Sequence, residues 1–184
     1  MTDKTPPYMP PEGEAYDVMT LDDRWSALGV PLAWGRRVLV VLGDLGGPAF
    51  EDPGLRHVVW PLPPAAAADW PDLKEIGVVR YGAGDELLVP RARMTLSAGM
   101  CWLWLPEDGP AFIDPARLRS AIETLIGPLE EAAARGRVDV GHYCDAVVAN
   151  SVLVAWRPQE SGPGWSVYAC QECARRHGLE EVRG

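Results

Sequence analysis

Three cysteines and two histidines gather in the last part of this chain, in "GHYC" (Gly141–Cys144) and "YACQECARRHG" (Tyr168–Gly178). Zinc takes four tetrahedral ligands, and two of them commonly come as C-x-x-C on a tight turn. Cys170 and Cys173 have that spacing where a strand pattern gives way to a helix pattern. Backbone N–H groups at such a junction stabilise thiolate charge. Cys144 stands 26 positions before Cys170, within reach if the intervening segment is a hairpin that returns its ends together. Two histidines compete for the fourth place. His142 is two residues from Cys144, on the same side of an extended segment. His177 is four residues beyond Cys173, one helical turn along, and would complete C-x-x-C-x-x-x-H. The predicted site is a structural zinc ion on His142, Cys144, Cys170 and Cys173, with His177 the alternative ligand. Four protein ligands leave no open position for water, so such a site holds shape without hydrolysing anything.

Two other readings compete. A redox pair at Cys170 and Cys173 calls for a thioredoxin-like βαβ frame, which no obvious pattern supplies. Cysteines can also simply pack, and Cys101, inside "GMCWLWLP", is most simply a small core residue. His57 stands alone and reads as structural.

The elements that would position these residues come from periodicity and turn signals. Residues 1–14 carry four prolines and little that is apolar, which predicts a flexible tail. "YDVMT" reads as a strand, "LDDRWSALG" as one or two helical turns, and "RRVLVVLGDLGG" as a buried strand of consecutive aliphatics. "HVVW" reads as another strand, and "IGVVRYGAGDELLVP" as a hairpin turning at "GAGD". "GMCWLWLP" is apolar on both faces and predicts a central strand. In "DPARLRSAIETLIGPLEEAAARG", Asp114 caps a helix whose Leu118, Ile122, Leu125 and Leu129 share a face, and Gly127-Pro128 divides or kinks it. "AVVANSVLVAWRP" and "WSVYAC" then read as two strands, with Trp156 and Trp165 facing each other, and "QECARRHGLEE" as a helix ending at Gly178. The predicted fold is α+β, a mixed sheet with few helices over residues 15–136. A small zinc-ribbon-like β-hairpin and helix follows over 137–184.

Composition narrows the function. The net charge of −9 works against broad contact with a phosphate backbone, and the densest basic cluster is only Arg175-Arg176. No aliphatic run approaches the length of a membrane span, and the N-terminus has no basic segment leading into an apolar one, so the expected location is cytoplasmic. "GDLGG" follows an aliphatic run but lacks the G-K-[ST] of a phosphate loop, and there is no G-x-S-x-G. "VDVG" offers one aspartate where two-metal chemistry needs several.

By Tyr16-Asp17-Val18, Gly29–Leu32, Val38–Leu42, Gly82–Pro90, Trp102 or Trp104, and Pro115–Ile126, the stretch of roughly 15–130 resembles actinobacterial proteins of the primase–polymerase N-terminal type. Scarce lysine beside abundant alanine, arginine, glycine and proline fits such a source. The resemblance implies a nucleotidyl-transfer scaffold with metal-binding acids as D-x-D and a histidine on a following strand. Here Asp17 is followed by Val18-Met19 and "VVRYG" has no histidine, so the resemblance implies a scaffold that has lost its chemistry. The leading expectation is a non-catalytic binding or regulatory protein with a protein partner. The alternatives are a nucleotidyl-transfer enzyme using Asp17, Asp44 or Asp85, and a nucleic-acid-binding zinc module using Arg175, Arg176 and Trp165.

Overall fold

The computed structural model describes residues 6–10, 16–91, 100–104, 110–136, 138–141, 144, 146–149, 151–157 and 165–182. The fold is mixed α+β, with four α-helices and several antiparallel sheets among these residues. Its contacts divide into two units, Met1–Trp70 with Val78–Ile122, and Pro71–Gly77 with Glu123–Gly184. The second unit thus includes Pro71–Gly77 and the chain from Glu123 onward. None of the described helices is long and apolar enough to cross a membrane.

The first unit is built on a five-stranded antiparallel sheet in the order β5-β2-β4-β3-β7. These are β2 (Ser26–Pro31), β3 (Ala49–Asp52), β4 (His57–Leu62), β5 (Val79–Tyr81) and β7 (Cys101–Trp104). β2 departs from the expected helical turns. The Asp22 carboxylate accepts the Arg24 backbone N–H at 2.9 Å and so spends its capping capacity on a tight turn. The strand that follows buries Ala27 through Val30 in succession, because both its edges and both its faces are covered. A continuous apolar run of this kind fits a central strand better than an amphipathic helix.

The reverse correction applies to Val38–Leu42, expected as a buried strand. It is the second half of α1 (Leu32–Leu42), whose buried residues Trp34, Gly35, Val38 and Leu42 follow helical spacing. Val40 is 80% and Val41 42% exposed, so the aliphatic run is only half a core. A short apolar run carries no period of its own, and the tryptophan one turn upstream decides the outcome. Gly35 lets α1 lie close to the sheet, since a Cβ there would stand 3.0 Å from both the Val30 carbonyl oxygen and Val58 Cγ2. Gly35→Val should therefore cost about 1–3 kcal/mol of stability in a denaturant titration, despite valine's better helix propensity.

The opposite face of the sheet is covered by a two-stranded ribbon of β1 (Tyr16–Thr20) and β6 (Glu86–Pro90). Leu87 and Val89 of this ribbon pack with Phe50, Val59, Ala27, Leu21 and Trp25 in one buried cluster. The predicted β5–β6 hairpin is thereby corrected, since β5 pairs with β2 and β6 with β1. The turn itself is real. Asp85 donates its N–H to the Gly82 carbonyl and accepts the Gly82 N–H on its carboxylate, and Gly84 takes φ +92°. After the turn β6 lies in the second layer, where Leu87 and Val89 are buried in the apolar cluster. β7 is likewise no central strand. Among the described residues it pairs with β3 alone, at the sheet edge, with Trp102 turned inward and Trp104 39% exposed.

The expected tail also contains a core residue. Tyr8 is fully buried, its ring 5.8 Å from those of Trp25 and Trp102 and 5.7 Å from that of Phe112. Its hydroxyl donates to the Ala111 carbonyl. Low apolar content in the surrounding prolines hid this one anchoring ring.

α2 (Pro115–Ile126) begins as expected, with the Asp114 carboxylate accepting the Ala116 N–H at 2.9 Å. Gly127, at φ +81°, and Pro128 separate it from α3 (Leu129–Arg135). In the second unit, the predicted single strand over Ala146–Pro158 is two. β9 (Val147–Ala149) pairs back onto β8 (Val138–Val140), and β10 (Val152–Arg157) pairs forward with β11 (Trp165–Ala169). The β10–β11 register sets Trp156 opposite Ser166 and Arg157 opposite Trp165, so the two tryptophans are not cross-strand partners. α4 (Gln171–His177) closes the unit, ending at Gly178 in the left-handed conformation.

Candidate metal centre

Two turns bring the cysteines together. The first lies between β8 and β9, where Gly141 donates its N–H to the Ala146 carbonyl at 2.8 Å and the chain between them carries Cys144. The second joins β11 to α4. Here Cys170 caps the helix, its sulfur accepting the backbone N–H of Cys173 at 3.3 Å. The β10–β11 pairing supplies the return that the spacing between Cys144 and Cys170 requires.

The sulfurs of Cys144, Cys170 and Cys173 all lie within 4.8 Å of one another, and those of Cys144 and Cys170 are 3.8 Å apart. Metal–sulfur bonds of about 2.3 Å at tetrahedral angles place neighbouring sulfurs about 3.8 Å apart. A disulfide needs about 2.05 Å, and all four cysteines are free thiols. Three sulfurs around one point, contributed by two separate turns, form a group that can hold a metal ion. Among the described residues it is the one cluster of three or more histidine, cysteine or acidic side chains so placed.

The electrostatics of the cluster point the same way. The Cys173 backbone N–H, and after it the neighbouring thiols, hold the Cys170 thiol below its ordinary range. The Cys173 thiol is pushed up to about 11, first by its hydrogen bond to the Cys170 sulfur and then by burial. Charge is favoured on the Cys170 sulfur and disfavoured on the Cys173 sulfur beside it. A cation among them removes that penalty.

The cradle is shaped by Gly141, a residue to which sequence reasoning gave no role. A Cβ at this position would stand 2.9 Å from the Cys144 sulfur and 3.7 Å from the Cys170 nitrogen. Its only sequence signal is a glycine placed three residues before a candidate ligand. Cys144 is exposed, Cys170 half-buried and Cys173 buried against Ala169 and Ala174, so the cluster sits at the surface with one wall in a small apolar cluster.

Of the predicted ligands, then, the fold brings together Cys144, Cys170 and Cys173. His142 lies outside the described residues. His177 is on the last turn of α4 and is not part of the group. Cys101 is buried in β7, where burial raises its thiol. The Nδ1 of His57 lies 2.6 Å from the Leu55 carbonyl oxygen, a structural contact.

The acidic residues considered for nucleotidyl transfer are dispersed. Asp17 bonds the Val18 N–H, Asp85 holds the Gly82 turn, and Asp44 lies in a 3-10 turn after α1. Asp17 stands opposite Val89 on the ribbon, whereas Asp85 precedes the ribbon's other end. The basic pair on α4 is partly spent internally, since Arg176 bonds Glu172 at 2.7 Å and Arg175 bonds the Gln171 carbonyl. Comparison of this chain with protein-family models, with curated proteins and with solved structures found no match.

Proposed function

We propose that this chain is a non-catalytic binding or regulatory protein whose C-terminal segment is clamped by a structural zinc ion on Cys144, Cys170 and Cys173, with His142 as fourth ligand. The observation that carries the reading is the 3.8 Å separation of the Cys144 and Cys170 sulfurs, the edge length of a zinc–thiolate tetrahedron. Zinc is favoured over calcium or magnesium because the donors are soft thiolates. A fourth protein ligand closes the coordination sphere, so the ion stabilises and does not activate water.

The binding role rests on the scatter of Asp17, Asp44 and Asp85, which supply no metal-binding carboxylate cluster among the described residues. A protein partner suits the net charge of −9 better than a nucleic acid does. Elemental analysis of the purified chain should find one zinc per molecule, and none after Cys170→Ser. Loss of zinc in His142→Ala but not in His177→Ala identifies the fourth ligand. A primed-template extension assay with Mg²⁺ or Mn²⁺ should show no product, and product formation would overturn the non-catalytic reading.

Gly141→Ala tests the geometry more gently. With the added methyl 2.9 Å from the Cys144 sulfur, zinc affinity should fall about 10- to 100-fold in competition with a chromophoric chelator. Unchanged affinity would mean that this turn does not shape the site.

A further inference from the structure

The first unit contains a cavity unrelated to the cysteine cluster. It has a volume of about 430 Å³ and lies where the start of β2, the end of β5 and the 64–68 loop converge. This is within the range of small-molecule sites. Its lining surface is mostly apolar, with Trp25, Ala27, Ala65, Ala67 and Ala68 forming the wall, and its polar side chains are Asp22, Asp23, Ser26, Arg80 and Tyr81.

Three features make it more than a surface dent. Arg80 is held in place, its Nη1 donating to the Ala67 carbonyl at 3.0 Å and the Trp70 carbonyl at 3.1 Å. Its Nε and Nη2 make no hydrogen bond among the described residues, so half of a fixed guanidinium fork remains open beside an apolar wall. The wall itself is tied by successive turns, with N–H donation from Ala66 to Pro63, Ala68 to Ala65, and Trp70 to Ala67. Within it, Ala65 takes φ +54°, a conformation unfavourable for a residue with a side chain. Such strain persists only where surrounding contacts enforce it and is concentrated at ligand clamps and switch regions.

Two carboxylates also line the cavity: Asp22 is paired with Arg24 at 2.7 Å, and Asp23 is the second. The open donors of Arg80 set the preference for an anion. We infer that this cavity binds a small, mainly apolar carboxylic acid, its hydrocarbon body against the alanine and tryptophan wall and its carboxylate on the open side of Arg80. A planar guanidinium matches a carboxylate through two parallel N–H donors, a geometry that neither an amine nor a hydroxyl can use.

The test uses the full chain and three probes sharing one body: 4-phenylbutyrate, 4-phenylbutanol and 4-phenylbutylamine, titrated by calorimetry at constant salt. The acid should bind about 10- to 100-fold more tightly than the alcohol, and the amine more weakly than either. Arg80→Gln should erase the acid's advantage over the alcohol. Because that substitution also removes two bonds to the loop, Ala68→Trp provides an independent check. It retains Arg80 but fills the exposed mouth, and should abolish binding of all three probes. An amine that binds as tightly as the acid, a preference that survives Arg80→Gln, binding that survives Ala68→Trp, or no binding of the acid at about 1 mM would each overturn the inference.

Discussion

Cys170→Ser, or treatment of the wild-type chain with a strong chelator, should abolish amide-exchange protection in β10, β11 and α4 while β2 and β4 keep theirs. The size of the effect follows from how little else holds the C-terminal segment. Among the described residues, the buried cluster around the site consists of Ala169, Cys173 and Ala174, with Val152, Val154, Cys170 and Leu179 packed at its margin, and Val138 is buried besides. Two alanines and a cysteine bury little apolar surface, and at about 25 cal/mol per Å² they contribute only a few kcal/mol. A structural zinc site in small peptides supplies on the order of 10 kcal/mol, more than the whole stability margin of many domains. If zinc binds as proposed, its removal takes away most of the segment's folding energy. Full protection of β10 and β11 in metal-free protein would show that packing alone suffices and would remove the clamp from the account.

The second large effect is expected far from any cysteine. Tyr8→Ala should destabilise the chain by about 3–5 kcal/mol, the usual cost of truncating a buried aromatic residue. At roughly 2–4 °C per kcal/mol for a chain of this size, Tm should fall by about 6–20 °C. Tyr8 is fully buried against three aromatic rings, and its hydroxyl serves the Ala111 carbonyl, which would be left without that donor. Tyr8→Phe separates the two contributions. It should retain the ring packing and lose about 1 kcal/mol with the hydrogen bond. A Tyr8→Ala protein as stable as wild type would return this segment to the flexible tail that its prolines suggest.

The difference between expectation and structure follows how far each signal reaches along the chain. α2 was legible because cap, periodicity and stop all lie within a few residues: Asp114 at the start, Leu118 and Ile122 on one face, and Gly127-Pro128 at the end. α4 was legible for the same reason, between Cys170 and Gly178. Leu125 departs slightly, lying half-buried while Ile126 faces inward, a shift of one position along the helix. Where the decisive partner is distant, local reading failed. Val38–Leu42 is equally apolar as strand or helix, and only the seat of Trp34 and Gly35 on the sheet selects the helix. The β5 and β6 segments look like neighbours that should pair, yet β5 pairs with β2 in the sheet and β6 with β1 in the ribbon.

The candidate site divides along the same line. The amino-acid sequence by itself determined which atoms are available: the C-x-x-C spacing at a strand-to-helix junction, the upstream Cys144, and an acidic charge adverse to phosphate backbones. Those are properties of residue type and short spacing, which a chain carries however it folds. Only the tertiary structure decided that the sulfur of Cys144 lies 3.8 Å from that of Cys170, that Gly141 leaves room for it, and that His177 falls outside the group. It alone also placed Arg80 beside an alanine-lined cavity. Such juxtapositions depend on strand register and on which face of each element is buried, and both are settled by contacts between residues remote in the chain.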